Sequence, residues 1–524
     1  MGTNSKQPIA KSQLPKAIIM KYTFGTVTIT DSARKRVAEA LASRDVSSGR
    51  YVREFEKRFA ALVGRREAVA VATGTDALTL ALASLYDFGA ERGDEVIVPA
   101  LTFAATANAV LQAGFTPVFA DIDRATLNID PTAAERAVTA RTRAIVPVHL
   151  MGRAADMHAI TAIADAAARR GQRISVIADA AEAHGTEYDG RDIGAFGDMA
   201  TYSLYVAHAI STVEGGVIVT DQPDTARILR SLRAHGRECD CAVCVESTTS
   251  VIPETSVIPA KAGIQNETFQ MDSRFRGNDR ERGNDREHGN DRESPGSSDM
   301  SQQPTANSRA SRRAPCARRF ADGRDRRFVF ARAGYSSKMN ELEAAIGLGC
   351  LDEYPSILAR RRENLAYLRD AFARFAPRIV TPAPESPHAS TGPHAFPIVV
   401  GMPAGMAHGS WLMAHGAKGE ESQESSKSSD RSNQPTANSS AEGGSTRDAL
   451  AAHLRARGID SRTLFSSLPT QSPAFAFLGH KKGDFPEAEY IGDNGLHVGV
   501  HQDLTREHLD YFIRAVDGFL QKHA

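Results

Sequence analysis

The stretch Ser175-Val176-Ile177-Ala178-Asp179-Ala180-Ala181-Glu182-Ala183-His184-Gly185 carries an apolar run into a carboxylate and then into a glycine turn. The run Ser175 to Ala178 reads as a strand buried on both faces, with Asp179 at its end. Upstream the same unit recurs. Strands at Ala68 to Ala72, Glu95 to Val98, Pro117 to Ala120 and Ala144 to Leu150 alternate with helices at Gly74 to Leu85, Thr106 to Gln112, Pro131 to Ala140 and Met157 to Arg169. Continuous apolar strands between amphipathic helices predict an α/β fold, with a mainly parallel sheet between two helical layers.

Farther on, Met339 to Leu351 predicts a helix, and a second helix follows beyond Pro355 through Phe372. A strand at Ala395 to Val400 and helices at Arg447 to Arg457 and Arg506 to Leu520 predict a smaller α+β domain. Two polar segments interrupt this pattern. In the first, Gly-Asn-Asp-Arg-Glu begins at Gly277, Gly283 and Gly289, and Ser-Val-Ile-Pro begins at Ser250 and Ser256. Gln-Pro-Thr-Ala-Asn-Ser occurs in both segments, from Gln303 and from Gln434. Such composition buries too little apolar surface to offset ordering entropy, so both segments are expected to be disordered insertions. The expected organisation is an N-terminal segment and large domain over 1–244, an insertion over 245–312, the rest of the large domain with linking helices over 313–377, and a small domain over 378–524 interrupted at 408–446.

The 63 Lys and Arg residues balance 63 Asp and Glu residues, so no net basic charge points to nucleic acid. No apolar run is long enough to span a bilayer, and the patch Ala17 to Met20 is too short for a secretory signal. A soluble cytoplasmic protein is expected. Five cysteines in 524 residues do not form a disulfide framework.

Several positions carry chemistry. Gly74-Thr75-Asp76 opens a helix after a strand, where backbone amides favour a phosphate dianion, although any strand–helix turn accepts these residues. Asp179 ends an apolar strand, where a carboxylate is costly without a partner. Cys239, Cys241 and Cys244 are close in sequence, and Cys316 follows the first insertion. Four thiolates suit zinc or a [2Fe–2S] cluster, and reduced structural thiols are the competing explanation. Cys350 falls in a helical pattern and is expected in the core. His149, His184 and His235 are expected to be structural.

After Asp179 come Gly197-Asp198, then Tyr202-Ser203-Leu204-Tyr205-Val206-Ala207-His208, then Glu214-Gly215-Gly216. This order resembles the fold-type I pyridoxal-phosphate enzymes, and within them the DegT/StrS family of nucleotide-sugar aminotransferases. The resemblance covers roughly Phe24 to Leu520 without the insertions. It implies that Gly74, Thr75, Asp76 and Ser203 hold the cofactor phosphate, that Phe103, which by itself reads as a core phenylalanine, stacks on the ring, and that Asp179 pairs with the pyridine nitrogen. It also implies that Ser336, in Gly334 to Glu341, reaches the partner subunit's cofactor, which would make a homodimer with a shared site. Where the family usually has glutamine this chain has Glu182, which either changes the ring contacts or carries a proton.

The family's Schiff-base lysine is replaced by His208, and no lysine occurs between Lys57 and Lys261. An imidazole cannot form that imine, but it moves protons near neutral pH. Ser48-Gly49-Arg50-Tyr51, Arg230 to Arg233 before Gly236 to Cys241, and Arg462-Thr463-Leu464-Phe465 resemble the nucleotide-sugar 3-dehydratases, which use pyridoxamine phosphate. One subgroup of these carries an iron–sulfur cluster and needs a reductase, but it has a cysteine near the aspartate, where this chain has Ala180 and Ala181. The resemblance therefore implies C3 dehydration of a nucleotide-diphosphate-linked 4-keto-6-deoxyhexose with His208 as base. The alternatives are a sugar aminotransferase and a non-catalytic sugar-nucleotide-binding homologue.

Overall fold

The computed structural model describes residues 21–44, 46–238, 328–401, 446–465 and 468–523. The segment 245–312 lies outside the described residues, as does the segment expected at 408–446 except its last residue, and as do Cys239, Cys241, Cys244 and Cys316. Helices α1 (Asp31–Ser43) and α2 (Arg50–Val63) lead to β1 (Glu67–Val71). Then follow α3 (Gly74–Ala83), β2 (Glu95–Pro99), α4 (Ala104–Gln112), β3 (Thr116–Ala120), α5 (Pro131–Arg136), β4 (Thr142–Ile145), α6 (Met157–Arg169) and β5 (Ser175–Asp179). A short hairpin, β6 (Glu187–Tyr188) and β7 (Arg191–Asp192), precedes β8 (Met199–Ser203), β9 (Gly216–Thr220) and α7 (Pro223–Leu232).

Seven strands form one sheet in the order β1-β9-β8-β5-β4-β2-β3. Every pairing is parallel except those of β9, which runs antiparallel to both β1 and β8. Alternate residues feed two cores. Val69, Val71, Val96 and Val98 pack on one face, and Ala68, Ala70 and Ile97 on the other. The α/β expectation is met. Two elements are shorter than their sequence pattern. β4 stops at Ile145, because Pro147 has no amide to extend the ladder. α5 stops at Arg136, and the Thr139 amide donates instead to Thr142 Oγ1.

The two helices expected around Pro355 are one, α8 (Glu341–Phe372), with the proline inside. An interior proline costs about 3 kcal/mol. Leu348, Leu351, Tyr354 and Ile357 are buried around it, and each buried side chain of this size returns about 1.5–3 kcal/mol. Asn340 caps the helix in a capping box with Glu343. Cys350 is buried in it, as expected.

The C-terminal part contains β10 (Ile379–Val380), β11 (Ala389–Ser390), β12 (Ala395–Val400), α9 (Thr446–Ala456), β13 (Ser461–Thr463), α10 (Pro486–Asn494), β14 (Gly495–Gly499) and α11 (Arg506–Lys522). Strands β10-β12-β14-β13 form an antiparallel sheet, and β11 joins the β6–β7 hairpin. The chain on either side of the first insertion closes on itself. Arg237 bridges Phe330, and the Glu238 amide donates to the Val329 carbonyl at 2.8 Å. Among the described residues no helix is long and apolar enough to cross a membrane.

Candidate functional site

Strand register brings the sequence candidates to one edge of the large sheet. Val71 pairs with Gly216, Gly216 with Ser203, and Thr201 on the same strand as Ser203 pairs with Asp179. This row lies at the carboxyl ends of β1, β5 and β8, where open α/β sheets bind ligands. Gly74, Thr75 and Asp76 are the first three residues of α3, and Thr73 Oγ1 caps it by accepting from the Asp76 amide at 3.0 Å. A Cβ on Gly74 would lie 2.6 Å from Ser203 Cβ and 2.9 Å from its Oγ. A Cβ on Gly216 would lie 2.2 Å from the Thr73 carbonyl oxygen. Only glycine at both positions lets the helix N-terminus close onto Ser203. The two phosphate candidates, far apart in sequence, are therefore in contact.

Asp179 is 8% exposed. Thr106 Oγ1 donates to its Oδ2 at 3.0 Å and the Ala181 amide to its Oδ1 at 3.2 Å. Burial raises its pKa against these two hydrogen bonds, and no cationic side chain among the described residues is paired with it. Thr106 lies in the first turn of α4, and Phe103 is that helix's N-cap. Phe103 is 62% exposed, its ring 6.0 Å from that of Phe465, so it is not a core residue. Glu182, in the turn after β5, accepts from the Met151 amide at 2.8 Å. Burial, reinforced by Asp179, pushes its pKa up to about 7, so a large fraction carries a proton at neutral pH.

His208 sits between β8 and β9, and its amide donates to the Tyr205 carbonyl. Its ring lies 4.9 Å from His394 and 5.8 Å from His184, centroid to centroid. His394 Nε2 is 3.7 Å from Glu182 Oε1, which links the histidine loop to the turn after Asp179. His208 Nδ1 is buried without a hydrogen-bond partner. An unperturbed imidazole is not what the structure provides, because burial and then Arg361 push the His208 pKa down to about 3. The ring is neutral at physiological pH. His149 and His184 are buried, each with an Nε2 that lacks a hydrogen-bond partner among the described residues.

Arg361 is the residue the sequence did not single out. It is 1% exposed. Its guanidinium donates to the carbonyls of Ala207 and His208 at 3.4 Å, to those of Pro393 and His394 at 3.2 and 3.4 Å, and to Gln502 Oε1 at 3.2 Å. It fixes the backbone beneath both imidazoles. A sequence signal existed: Arg361 is four residues from both Ile357 and Leu365, on the buried stripe of α8. His394 had no comparable signal. Ser336 bridges Ala234, and the neighbouring Ser337 carbonyl accepts from the Ala72 amide, so this loop lies against the chain entering the Gly74 turn.

Comparison with known proteins places the chain in a family. The model of the DegT/DnrJ/EryC1/StrS aminotransferase family matches residues 27–250, 305–418 and 412–517. The chain is 47% identical over 202 residues to the spore coat polysaccharide biosynthesis protein SpsC of Bacillus subtilis, a match covering 38% of this chain and 50% of that relative. It is 30% identical to GDP-perosamine synthase of Caulobacter vibrioides, covering 93% of this chain and 95% of that one. It is 27% identical to dTDP-4-dehydro-2,6-dideoxy-D-glucose 3-dehydratase of Saccharopolyspora spinosa, covering 94% and 85%. Among solved structures, the E. coli GDP-4-keto-6-deoxy-D-mannose-3-dehydratase with bound hydrated PLP shares the fold at a TM-score of 0.67, with 24% identity, covering 95% of this chain and 99% of that one. None of these names refers to an iron–sulfur or zinc centre. Matched by one family model over most of its length, the chain belongs to the DegT/DnrJ/EryC1/StrS aminotransferase family.

Proposed function

We propose that the protein is a pyridoxamine-phosphate-dependent 3-dehydratase of a nucleotide-linked 4-keto-6-deoxyhexose. One observation carries this reading: position 208 holds a buried, neutral imidazole with an unpartnered Nδ1, within a stretch, 58–260, that contains no lysine. The surrounding residues fit the cofactor. Asp179 is a buried carboxylate lacking a cation, which a protonated pyridine nitrogen would supply. The α3 N-terminus and Ser203 form a cradle suited to a phosphate, and Phe103 offers an exposed aromatic face.

When bound, pyridoxamine phosphate supplies a primary amine and an electron sink. Asp179 would pair with the pyridine nitrogen and keep it protonated. Glu182, when it carries its proton, donates a hydrogen bond where an ionised carboxylate would repel a phenolate. His208 accepts a proton at Nδ1. Its low pKa keeps it unprotonated, and the negative charge of a bound phosphate and a nucleotide diphosphate raises its basicity when the site is filled. Arg361 holds the His208 backbone in place. Phe103, Tyr205 and Val213, exposed at 62%, 42% and 41%, are apolar groups that a second subunit would cover, and the proposed unit is a homodimer.

The relation to GDP-perosamine synthase favours a second reading, a sugar aminotransferase working without the lysine. One experiment separates them. The full chain is incubated with pyridoxamine phosphate, L-glutamate as the amino donor that regenerates it, and GDP- or dTDP-linked 4-keto-6-deoxyhexose, and the sugar is examined by NMR. A methylene at C3, with no pyridoxyl adduct on the protein after borohydride, supports the dehydratase. An amine at C4 formed over many turnovers replaces it with the second reading, and a lysine adduct after borohydride overturns both by showing a Schiff-base lysine. Failure to bind the cofactor leaves a non-catalytic homologue.

A further inference from the structure

We propose that His158, Asp189 and His388 form a surface binding site for a divalent transition-metal ion of the zinc class, independent of the sheet-edge site. The three residues come from three separate elements. His158 lies in the first turn of α6, Asp189 in the β6–β7 turn, and His388 immediately before β11. Asp189 Oδ2 is 2.5 Å from His158 Nε2, and its Oδ1 is 2.5 Å from His388 Nδ1. The three ligand atoms lie within 4.8 Å of one another.

The positions are braced. Asp189 (φ 48°) and Gly190 (φ 69°) are both left-handed, the two-residue turn that a tight hairpin needs. The Asp189 amide donates to the His388 carbonyl at 2.7 Å, and β11 pairs with β6 one residue later. Tyr188, 4% exposed, packs its ring 5.1 Å from His158 and 6.1 Å from His388. Its hydroxyl donates to Asp156, the N-cap of α6, at 3.0 Å. Both imidazoles thus rest on one buried ring, and both Asp189 oxygens face imidazoles rather than the amides of their own turn.

Two imidazoles and one carboxylate are a borderline donor set. It suits zinc, nickel or copper and is poor for calcium or magnesium, which prefer all-oxygen sites. Zinc bonds of about 2.0–2.1 Å in a tetrahedron set ligand atoms about 3.3 Å apart. The carboxylate therefore withdraws by about 0.8 Å from each ring and the two ligating nitrogens close by up to about 1.5 Å, movements that three exposed side chains permit. Each ligating nitrogen passes its proton to the other ring nitrogen or to water, and a water completes the fourth position. Such an ion would pin the chain before β11 to the hairpin and to α6.

The test uses tag-free, chelator-stripped full chain titrated calorimetrically with Zn²⁺, with Co²⁺ absorbance as a second reading. Wild type should bind one zinc equivalent that the His158→Ala/His388→Ala double variant loses. Asp189→Asn should bind that equivalent at least ~100-fold more weakly, the upper end of what outer-shell substitutions cost. Cys241→Ser should keep it, separating this site from the thiols. Zinc should also raise the melting temperature of wild type and not that of the double variant, whose melting in chelator serves as the folding control. Identical zinc stoichiometry and affinity in wild type and double variant overturns the site, as does a wild type that binds no zinc.

Discussion

Gly74→Ala tests the contact on which the phosphate cradle depends. The added methyl would meet Ser203 Cβ at 2.6 Å and Ser203 Cα at 3.0 Å, and the second of these is backbone that cannot rotate away. Reaching ordinary contact near 3.4 Å requires α3 and β8 to separate by about 0.8 Å. Overpacking of this kind costs about 1–3 kcal/mol of stability. The effect on the ligand is steeper, because a misplacement of about 1 Å in a positioned group costs up to about 100-fold. The variant should fold, melt several degrees lower, and bind pyridoxamine phosphate about 10- to 100-fold more weakly, or about 1.4–2.8 kcal/mol. Cofactor fluorescence titration and thermal melting read both effects. Gly518→Ala is the control. A Cβ there has nothing within 4 Å and lies inside α11, so it should stabilise by about 0.5–1 kcal/mol and leave binding unchanged. A Gly74→Ala protein that melts with wild type and binds the cofactor equally well refutes the cradle.

His208→Asn should retain cofactor binding and lower turnover by about two to four orders of magnitude, measured as sugar product per enzyme; unchanged turnover removes it as the base. Glu182 is raised from 4.5 to about 7 by burial, so the unfolded chain ionises first and stability is lost as pH rises from about 4.5 to about 7. Urea melts of cofactor-free Glu182→Gln against wild type should therefore diverge across that window, by at most about 3 kcal/mol with the variant favoured at the alkaline end, whereas parallel profiles contradict the shift. Deleting 246–309 should leave a folded protein by circular dichroism and gel filtration, since the Arg237–Phe330 closure lies outside the deleted segment and loop closure depends only logarithmically on length; an insoluble product refutes this.

The strands of the large sheet were legible because burial on both faces leaves runs such as Val69 to Val71 and Val96 to Val98 with no polar interruption. The direction of β9 was not, because an apolar run carries no sign of its orientation. Pro355 predicted a break that tertiary packing overrode. At the site, Asp179, Ser203 and His208 stood out as polar or basic groups beside strands. Their arrival on one edge followed from register, which no local pattern encodes. Arg361 lies between Arg360 and Arg362, and composition does not separate three adjacent arginines. Only the helical phase does. His394 enters from the other side of the first insertion, by a contact between residues distant in sequence, and the depressed basicity of His208 depends on that burial.

The antiparallel course of β9 also sets an order of assembly. β8 and β9 are joined by twelve residues, 204–215, and close locally, a kind of contact that forms early because little loop entropy is lost. Gly74 meets Ser203 only when β1 docks on the far edge of β9, a pairing across well over a hundred residues. The 204–215 connection can therefore close before the Arg361 and His394 contacts that fix its histidine, while the cradle cannot. The proposed phosphate cradle thus depends on the β1–β9 pairing, and a chain stalled before that pairing lacks the Gly74–Ser203 contact.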